Sequence, residues 1–243
     1  MIIDWIKEKF TKKKEPLITV FSTIKGLEEI YPPSSAIESI PEWFKKMPIE
    51  VTEKFSGHPG TAKRCPSFVD YFSSGIVLKL WCDIHLTVNK DNTWEVRTPE
   101  KIFSFVNHLD NQFVDHLPYR KYSMVLKGNA PWRMMTPKGW NLLQLPLFYN
   151  FDKRFEVLPG IIYSDIHYEV NPQMAFHDYG EFLIPRGTPL AMYIPIKREK
   201  VTLQVREFDK ELQEKEEIAY RWFSGKFSGG YKEHQKFVKK AER

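Results

Sequence analysis

Turn-forming residues interrupt this chain at intervals too short for long helices, and this spacing most constrains its fold. Between Cys65 and Ile196, clusters of Gly, Pro, Asn and Asp separate short runs rich in β-branched and aromatic residues. Runs at intervals of roughly 8–12 residues are typical of antiparallel sandwiches and barrels, whereas a parallel sheet needs helical crossovers. No such helical pattern separates these runs. The sequence therefore predicts a mainly β fold, mostly antiparallel, built as a β-sandwich or barrel.

The predicted strands are the runs that combine β-branched or aromatic residues with flanking turn residues. They are 17–23, 76–84, 86–88, 94–97, 123–126, 132–136, 141–145, 161–170, 181–184 and 190–196. Trp132 and Trp140 flank a Pro-Lys-Gly turn at 137–139. We expect these two side chains to meet across a hairpin, as aromatic cross-strand pairs do.

Helical patterns of some length occur only towards the ends of the chain. Residues 2–13 gather Ile and Phe near one face and lysines elsewhere, which predicts an amphipathic N-terminal helix. Such a helix either docks on protein or lies in a membrane interface, and about three turns bury little area, which favours docking. Residues 209–223 and 231–243 predict C-terminal helices. The predicted organisation is an N-terminal helix at 1–14, a β-rich domain at 15–205 and a helical extension at 206–243.

The positive charge is concentrated at the two ends. The chain has a net charge of +5, of which residues 1–14 contribute +3 and residues 225–243 contribute +4, so the body between them carries −2. Nucleic-acid-binding proteins usually show a basic stripe across the fold, so this pattern argues against direct nucleic-acid recognition. Basic tails instead favour association with an acidic protein surface. We expect the tails to mediate association with a protein partner.

Several classes of protein are excluded by missing patterns. The sequence contains no phosphate-binding loop, no G-x-G-x-x-G, no G-x-S-x-G elbow and no H-E-x-x-H. Cys65 and Cys82 have no zinc spacing, so we expect reduced core thiols. The longest uncharged run, 139–151, is 13 residues long and too short to span a bilayer. The first 14 residues carry seven charges, unlike a secretory signal. We therefore expect a soluble intracellular protein without a transmembrane segment.

One pattern has the residue types of an iron centre. His108-Leu109-Asp110 is an H-x-D, and in an extended segment both outer side chains point to one side. His177 follows Asp110 by 67 residues, Arg186 comes nine residues later, and Thr188 follows two residues after that. Two histidines and one carboxylate can bind one face of Fe(II). A downstream arginine can hold a co-substrate carboxylate by a two-pronged ion pair.

This order of residues resembles the 2-oxoglutarate/Fe(II) oxygenases, which fold as a double-stranded β-helix. The resemblance implies Fe(II) and 2-oxoglutarate as cofactors, with His108, Asp110 and His177 as metal ligands and Arg186 and Thr188 as cofactor-binding residues. In the other interpretation, both histidines are surface or hydrogen-bonded residues and the chain uses no cofactor. His108 lies in the polar stretch 107–112, which is equally typical of a loop.

Five strings of residues resemble an uncharacterised family of proteins from tailed bacteriophages, especially marine and cyanobacterial ones. They are Pro41–Lys45, Lys63–Phe68, Gly75–Asp83, Ala130–Trp132 with Thr136–Trp140, and Gly187–Ala191 with Pro195–Arg198. The resemblance covers most of residues 17–200 and implies a location in the host bacterial cytoplasm or the virion, but no established activity. The segment from Gly160 to Pro195 more weakly resembles the closing strands of trimeric dUTPase-like folds, but it lacks their Gly-rich nucleotide-binding motifs.

Three functional hypotheses follow. The first is a phage-encoded interaction or structural protein without catalysis, whose partner is a second copy, a virion component or a host protein. It is favoured because most residues in the strings that carry the resemblance, such as the prolines on either side of 190–194, have roles in determining the fold. The second is the Fe(II)/2-oxoglutarate oxygenase. A nucleotide-handling β fold without its usual motifs stays open as a third.

Overall fold

The computed structural model describes residues 17–51, 60–98 and 104–224 of the 243-residue chain. Within them it contains fourteen strands and three α-helices. The strands are β1 (Thr19–Ser22), β2 (Ser34–Ser35), β3 (Ile76–Lys79), β4 (Ile84–Val88), β5 (Trp94–Arg97), β6 (Phe105–His108), β7 (Met124–Gly128), β8 (Trp132–Met135), β9 (Trp140–Pro146), β10 (Phe155–Val157), β11 (Gly160–Ile162), β12 (Gln173–Phe176), β13 (Gly180–Ile184) and β14 (Pro189–Lys197). The helices are α1 (Glu42–Lys46), α2 (Pro66–Ser73) and α3 (Lys210–Ser224). The predicted N-terminal helix and the second C-terminal helix lie outside the described residues.

The strands form four antiparallel sheets. Their orders are β1-β8, β10-β12-β7-β6, β11-β9-β14-β3-β2 and β13-β4-β5. In the largest sheet, β14 pairs with β9 from Ala191↔Pro146 to Lys197↔Trp140, and with β3 as far as Tyr193↔Ile76. Pro195 lies beyond the part of β14 that pairs with β3. It therefore occupies an edge position, where a residue without an N–H is tolerated.

The prediction of a mainly β, antiparallel fold is confirmed, but the barrel alternative is wrong. Each of the four sheets has two different end strands, so none of them closes on itself. Side chains from the inner positions of the strands meet in one large core, as in a sandwich. Its members with no exposed surface include Leu78, Leu80, Ile84, Leu126, Met134, Leu142, Met174, Phe176 and Tyr193. Cys82 lies in the same core, whereas Cys65 is only half-buried, and both are free thiols.

The expected pairing of Trp132 with Trp140 is wrong. Trp132 begins β8, which pairs with β1, and Trp140 begins β9, which pairs with β14 and β11. The turn between them is closed by the Trp140 N–H, which donates to the Pro137 carbonyl at 3.0 Å. The chain therefore passes from one sheet to another at this turn, and the two residues do not face each other across a ladder.

The described residues divide into two compact units. The first contains all the strands and comprises 17–35, 75–98 and 104–198; the second comprises 36–51, 60–74 and 199–224. In the second unit, α1 and α2 meet through aromatic rings. Phe44 stacks on Phe68 with ring centroids 5.9 Å apart and contacts Phe72 at 5.2 Å. Pro66 begins α2, a position where its missing N–H costs nothing.

The boundaries predicted at 14/15 and 205/206 stay predictions about domain organisation. Among the helices of the described residues, none is both long enough and apolar enough to cross a membrane.

Candidate functional site

The structure places the predicted iron ligands in different surroundings. His108 ends β6, but Asp110 begins a short 3-10 turn, so the two side chains do not project from one extended strand. The carboxylate of Asp110 accepts a hydrogen bond from Arg120 at 2.8 Å and is only 13% exposed. The Nε2 atom of His108 is buried and has no hydrogen-bond partner among the described residues.

The proposed co-substrate residues belong to the turn between β13 and β14. The backbone N–H of Arg186 donates to Asp83 at 2.7 Å, and its guanidinium group lies 5.0 Å from the ring centroid of Tyr31. The hydroxyl of Thr188 donates to the carbonyl of Pro185 at 2.6 Å. The side chains of Arg186 and Thr188 therefore take part in contacts that hold this turn.

His108, Asp110 and His177 are not brought together as a metal centre. Within 17–51, 60–98 and 104–224, no group of three or more His, Cys, Asp and Glu side chains could hold a metal ion. The oxygenase hypothesis, with its Fe(II) and 2-oxoglutarate, therefore gains no support from the described residues.

His177 lies instead in a cavity of about 210 Å³ in the first unit. The cavity is bounded by the end of β9 and the loop that follows, by β10, and by the start of β14. Its lining residues are Pro146, Leu147, Phe148, Asn150, Phe151, Asp152, Phe155, Glu156, Val157, His177, Pro189 and Leu190. His177 lies there because it directly follows β12, and the partner strand of β12, β10, forms the opposite wall of the cavity. The backbone N–H of His177 donates to the Arg154 carbonyl at 3.0 Å.

Each carboxylate of this cavity is already paired. Arg154 binds Asp152 through Nε at 3.0 Å and through a terminal nitrogen at 2.6 Å, a two-pronged arrangement. Burial favours the neutral form of Asp152, but the hydrogen bonds from Arg154 outweigh it and hold the pKa of Asp152 below its usual value.

Glu156 is paired in a comparable way with Lys121 and Tyr122. It accepts hydrogen bonds from the Lys121 ammonium group and the Tyr122 hydroxyl. Burial acts to raise the pKa of Glu156, but these two hydrogen bonds, together with electrostatic interactions with Lys121 and His177, hold the pKa of Glu156 below its usual value. Burial and the hydrogen bond to Glu156 both raise the pKa of Tyr122. The polar side of the cavity is therefore electrically balanced near neutral pH.

A second cavity, of about 440 Å³, lies beside β11 and also belongs to the first unit. Gln144, which lies in its wall, has an amide that is already bonded. It donates to the Leu158 carbonyl at 2.8 Å and accepts from the hydroxyl of the fully buried Tyr193 at 2.9 Å. These bonds hold β9, β14 and the β10–β11 connection together, which indicates a structural role for the amide.

The most exposed apolar side chains of the described chain lie in residues 199–209, which we call the arm. The arm follows β14, forms neither helix nor strand, and precedes α3. Val201, Leu203 and Val205 are 95%, 87% and 86% exposed, and Phe208 is 65% exposed. Asp209 ends the arm by accepting the N–H of Leu212 at 3.0 Å, which caps α3. The arm is thus an apolar segment that the described chain leaves open to solvent.

Sequence reasoning missed both the arm and the cavity. The arm had a visible signal, because Val201, Leu203 and Val205 alternate with polar residues in the period of a strand. The cavity had none, because its walls come from four separate segments that only the sheet pairing brings together.

Comparisons with known proteins find a distant likeness to solved structures of dUTPases. No protein-family model matches the chain, and no curated protein matches it. Among solved structures, the dUTPase of Staphylococcus bacteriophage 80alpha, as a triple mutant with dUpNHpp, has 10% identity and a TM-score of 0.36, covering 79% of this chain and 89% of that one. A single mutant of the same dUTPase has 11% identity and a TM-score of 0.36, covering 79% and 98%.

The native dUTPase of EIAV is more distant, with 9% identity and a TM-score of 0.29, covering 53% of this chain and 98% of that one. The distant similarity to phage dUTPases agrees with the dUTPase-like echo between Gly160 and Pro195 in the sequence.

Proposed function

We propose that this chain is a non-enzymatic interaction protein that associates with a second copy of itself through the arm. The observation that supports this is the near-complete exposure of Val201, Leu203 and Val205 in a strand-like alternation. Fully burying an aliphatic side chain of this size is worth roughly 1.5–3 kcal/mol. Covering three such side chains therefore favours association with a partner, provided that the gain exceeds the conformational entropy lost when the arm becomes ordered.

The alternation of the arm fits the addition of a strand to an open sheet edge. In a strand, residues i, i+2 and i+4 share one face, so Val201, Leu203 and Val205 would cover one apolar surface while Thr202 and Gln204 face away. The unpaired N–H and C=O groups of an edge strand supply main-chain hydrogen bonds to an added strand, and its side chains supply specificity. The arm has the pattern that this mode of binding needs.

A suitable edge is present on the chain itself. β11 ends the five-stranded sheet, and its Ile161 is 57% exposed. Ile161 lies in register with Leu143 of β9, which lies in register with Ile194 of β14. These three half-exposed or exposed residues form an apolar row on the face opposite the fully buried Leu142. An exposed apolar edge of this kind is a template for pairing with another chain, so we choose a second copy as the partner.

The test is the mass of the protein in solution, measured by sedimentation velocity over a wide range of concentrations. Wild-type protein should associate, and the variant V201T/L203T/V205T should not, because it keeps strand-forming residues but removes their apolar surface. The matched control V201I/L203I/V205I should associate like the wild type. Equal melting temperatures of all three at concentrations low enough to keep them monomeric would show that the fold is intact, as expected for side chains this exposed.

A second variant tests the receiving edge. Ile161→Lys places a charge on β11 and should also abolish association. Mixing this variant, whose arm is intact, with the V201T/L203T/V205T variant, whose edge is intact, should restore one interface and yield a mixed dimer. A wild-type protein that stays monomeric at every concentration, or a triple threonine variant with the wild-type mass, would contradict the proposal. A virion or host protein as the partner would then be the interpretation to pursue.

Three related expectations stay predictions. The basic tails 1–14 and 225–243, expected to mediate association, lie outside the described residues. The bacteriophage origin is supported by the resemblance of the sequence strings, and the expected location is the host cytoplasm or the virion. These expectations are compatible with a self-associating protein but are not needed for the proposal.

A further inference from the structure

The cavity beside His177 has an unusual backbone feature at its rim. Phe151 has a φ angle of +51°, in the left-handed region that bulky side chains rarely adopt. In spite of this conformation, its side chain is 67% exposed, so the ring is not held there by burial in the core. Strained residues of this kind cluster at binding sites, where the fold holds a side chain in place for a ligand.

The walls of the cavity suit a flat apolar ring. Phe155, Val157 and Leu190 are almost fully buried and form an apolar floor. Phe148, which is 58% exposed, and Phe151 lie at the rim of the cavity. Aromatic side chains open to a cavity bind planar rings by stacking, with little preference for one ring system. The volume of about 210 Å³ is smaller than a drug-sized pocket and holds one small ring system.

The polar groups of the cavity indicate a neutral ligand with a hydrogen-bonding edge. The charges of Asp152 and Glu156 are already matched by Arg154 and Lys121 respectively. The imidazole of His177 lies 5.8 Å from the ring of Tyr122 and interacts electrostatically with Asp152 and Glu156, whose pKa values it helps to lower, but no hydrogen bond of its ring nitrogens is found among the described residues. An imidazole can donate through one nitrogen and accept through the other. It is thus available to a ligand that carries a polar group beside its ring.

We propose that this cavity binds a small neutral heteroaromatic molecule, with the ring stacked on Phe151 and its polar edge on His177. This site is independent of the self-association proposed above, because neither the arm nor β11 lines the cavity. Failure of either proposal therefore leaves the other standing.

The experiment follows the NMR signals of the His177 ring and the Phe151 amide during titration with nicotinamide, cytosine and indole as separate probes. At least one probe should shift both signals saturably. Two analogues of nicotinamide test the chemistry of recognition: cyclohexanecarboxamide has a saturated ring, and 1-methylnicotinamide, which is methylated on the ring nitrogen, carries a positive charge. Both should bind more weakly than nicotinamide if nicotinamide binds.

Two variants connect binding to the rim. Phe151→Asn removes the ring but suits the left-handed backbone, so it should raise the melting temperature by about 2–4 °C while weakening binding roughly tenfold to a hundredfold. Phe21→Leu, at an exposed aromatic residue of β1 that does not line the cavity, serves as a control that relieves no strain, and it should bind like the wild type. The proposal is overturned if no probe shifts the two signals, if the saturated or charged analogue binds as well as nicotinamide, or if Phe151→Asn binds like the wild type.

Discussion

Asp165 and Arg198 form an ion pair that fixes the chain at the point where the arm begins. The carboxylate of Asp165 is only 6% exposed and also accepts the N–H of Gly139 at 2.9 Å. Arg198 donates to the Asn141 side chain at 3.1 Å and lies 4.8 Å from the ring centroid of Tyr163. The last residue of the first unit is therefore held by several contacts, while the arm directly after it is open to solvent.

This ion pair predicts a specific dependence of stability on pH. The hydrogen bond from the Gly139 N–H, followed by the interaction with Arg198, holds the pKa of Asp165 below its usual value. A carboxyl group whose pKa is lowered by folding stabilises the protein above its unfolded pKa of about 4, and this contribution is lost as the pH falls through the folded pKa.

Asp165→Asn should therefore lower the free energy of unfolding at pH 7 and reduce its fall between neutral and acidic pH. Asp70→Asn is the matched control, because Asp70 is an exposed carboxylate for which no ion pair is found among the described residues. Chemical denaturation at several pH values measures both variants. Parallel pH profiles for the wild type and Asp165→Asn would show that the pair does not contribute in this way.

Gly75 is predicted to be intolerant of any side chain. A Cβ atom added at this position would clash with the backbone carbonyl oxygen of Tyr193, on the neighbouring strand. Because that atom belongs to the backbone of a central strand, the sheet itself would have to shift. We expect Gly75→Ala to lower the free energy of unfolding by about 1–3 kcal/mol.

Gly160→Ala is the control, because nothing lies within 4 Å of a Cβ atom there and its backbone needs no left-handed conformation. Its effect should stay within about 0.5 kcal/mol. Denaturant unfolding measures the free energy of unfolding of both variants. Similar decreases at the two positions would mean that replacing glycine is itself destabilising and that the close contact with Tyr193 is not the cause.

Strands whose residues favour extended structure by themselves could be predicted from the sequence. The run at 94–97 matches β5, because it alternates Trp and Val with charged residues after a turn at 89–92. β10 and β12 were missed because they are only three and four residues long, and because β12 also contains Gln and Ala, which have little strand preference. Pairing with each other and with β7 makes them strands, and such long-range pairing has no local signal.

The single strand expected at 161–170 shows the opposite error. Only 160–162 is a strand, because the Ser164 N–H donates to the Ile162 carbonyl at 2.9 Å and a turn follows, which places Asp165 against Arg198. At the H-x-D of 108–110, too, a turn begins where a continued strand was expected. The geometry around both segments therefore depends on turns that interrupt the expected strands, and the residue types alone did not indicate these turns.

Hydrogen exchange of the arm amides tests self-association most directly. If residues 201–205 add as a strand to β11 of a second copy, alternate amides of this segment should form main-chain hydrogen bonds and the others should not. Their exchange should slow as the protein concentration rises, and the Ile161→Lys variant should lack this slowing. Exchange at the rate of an unstructured peptide at every concentration would contradict the account.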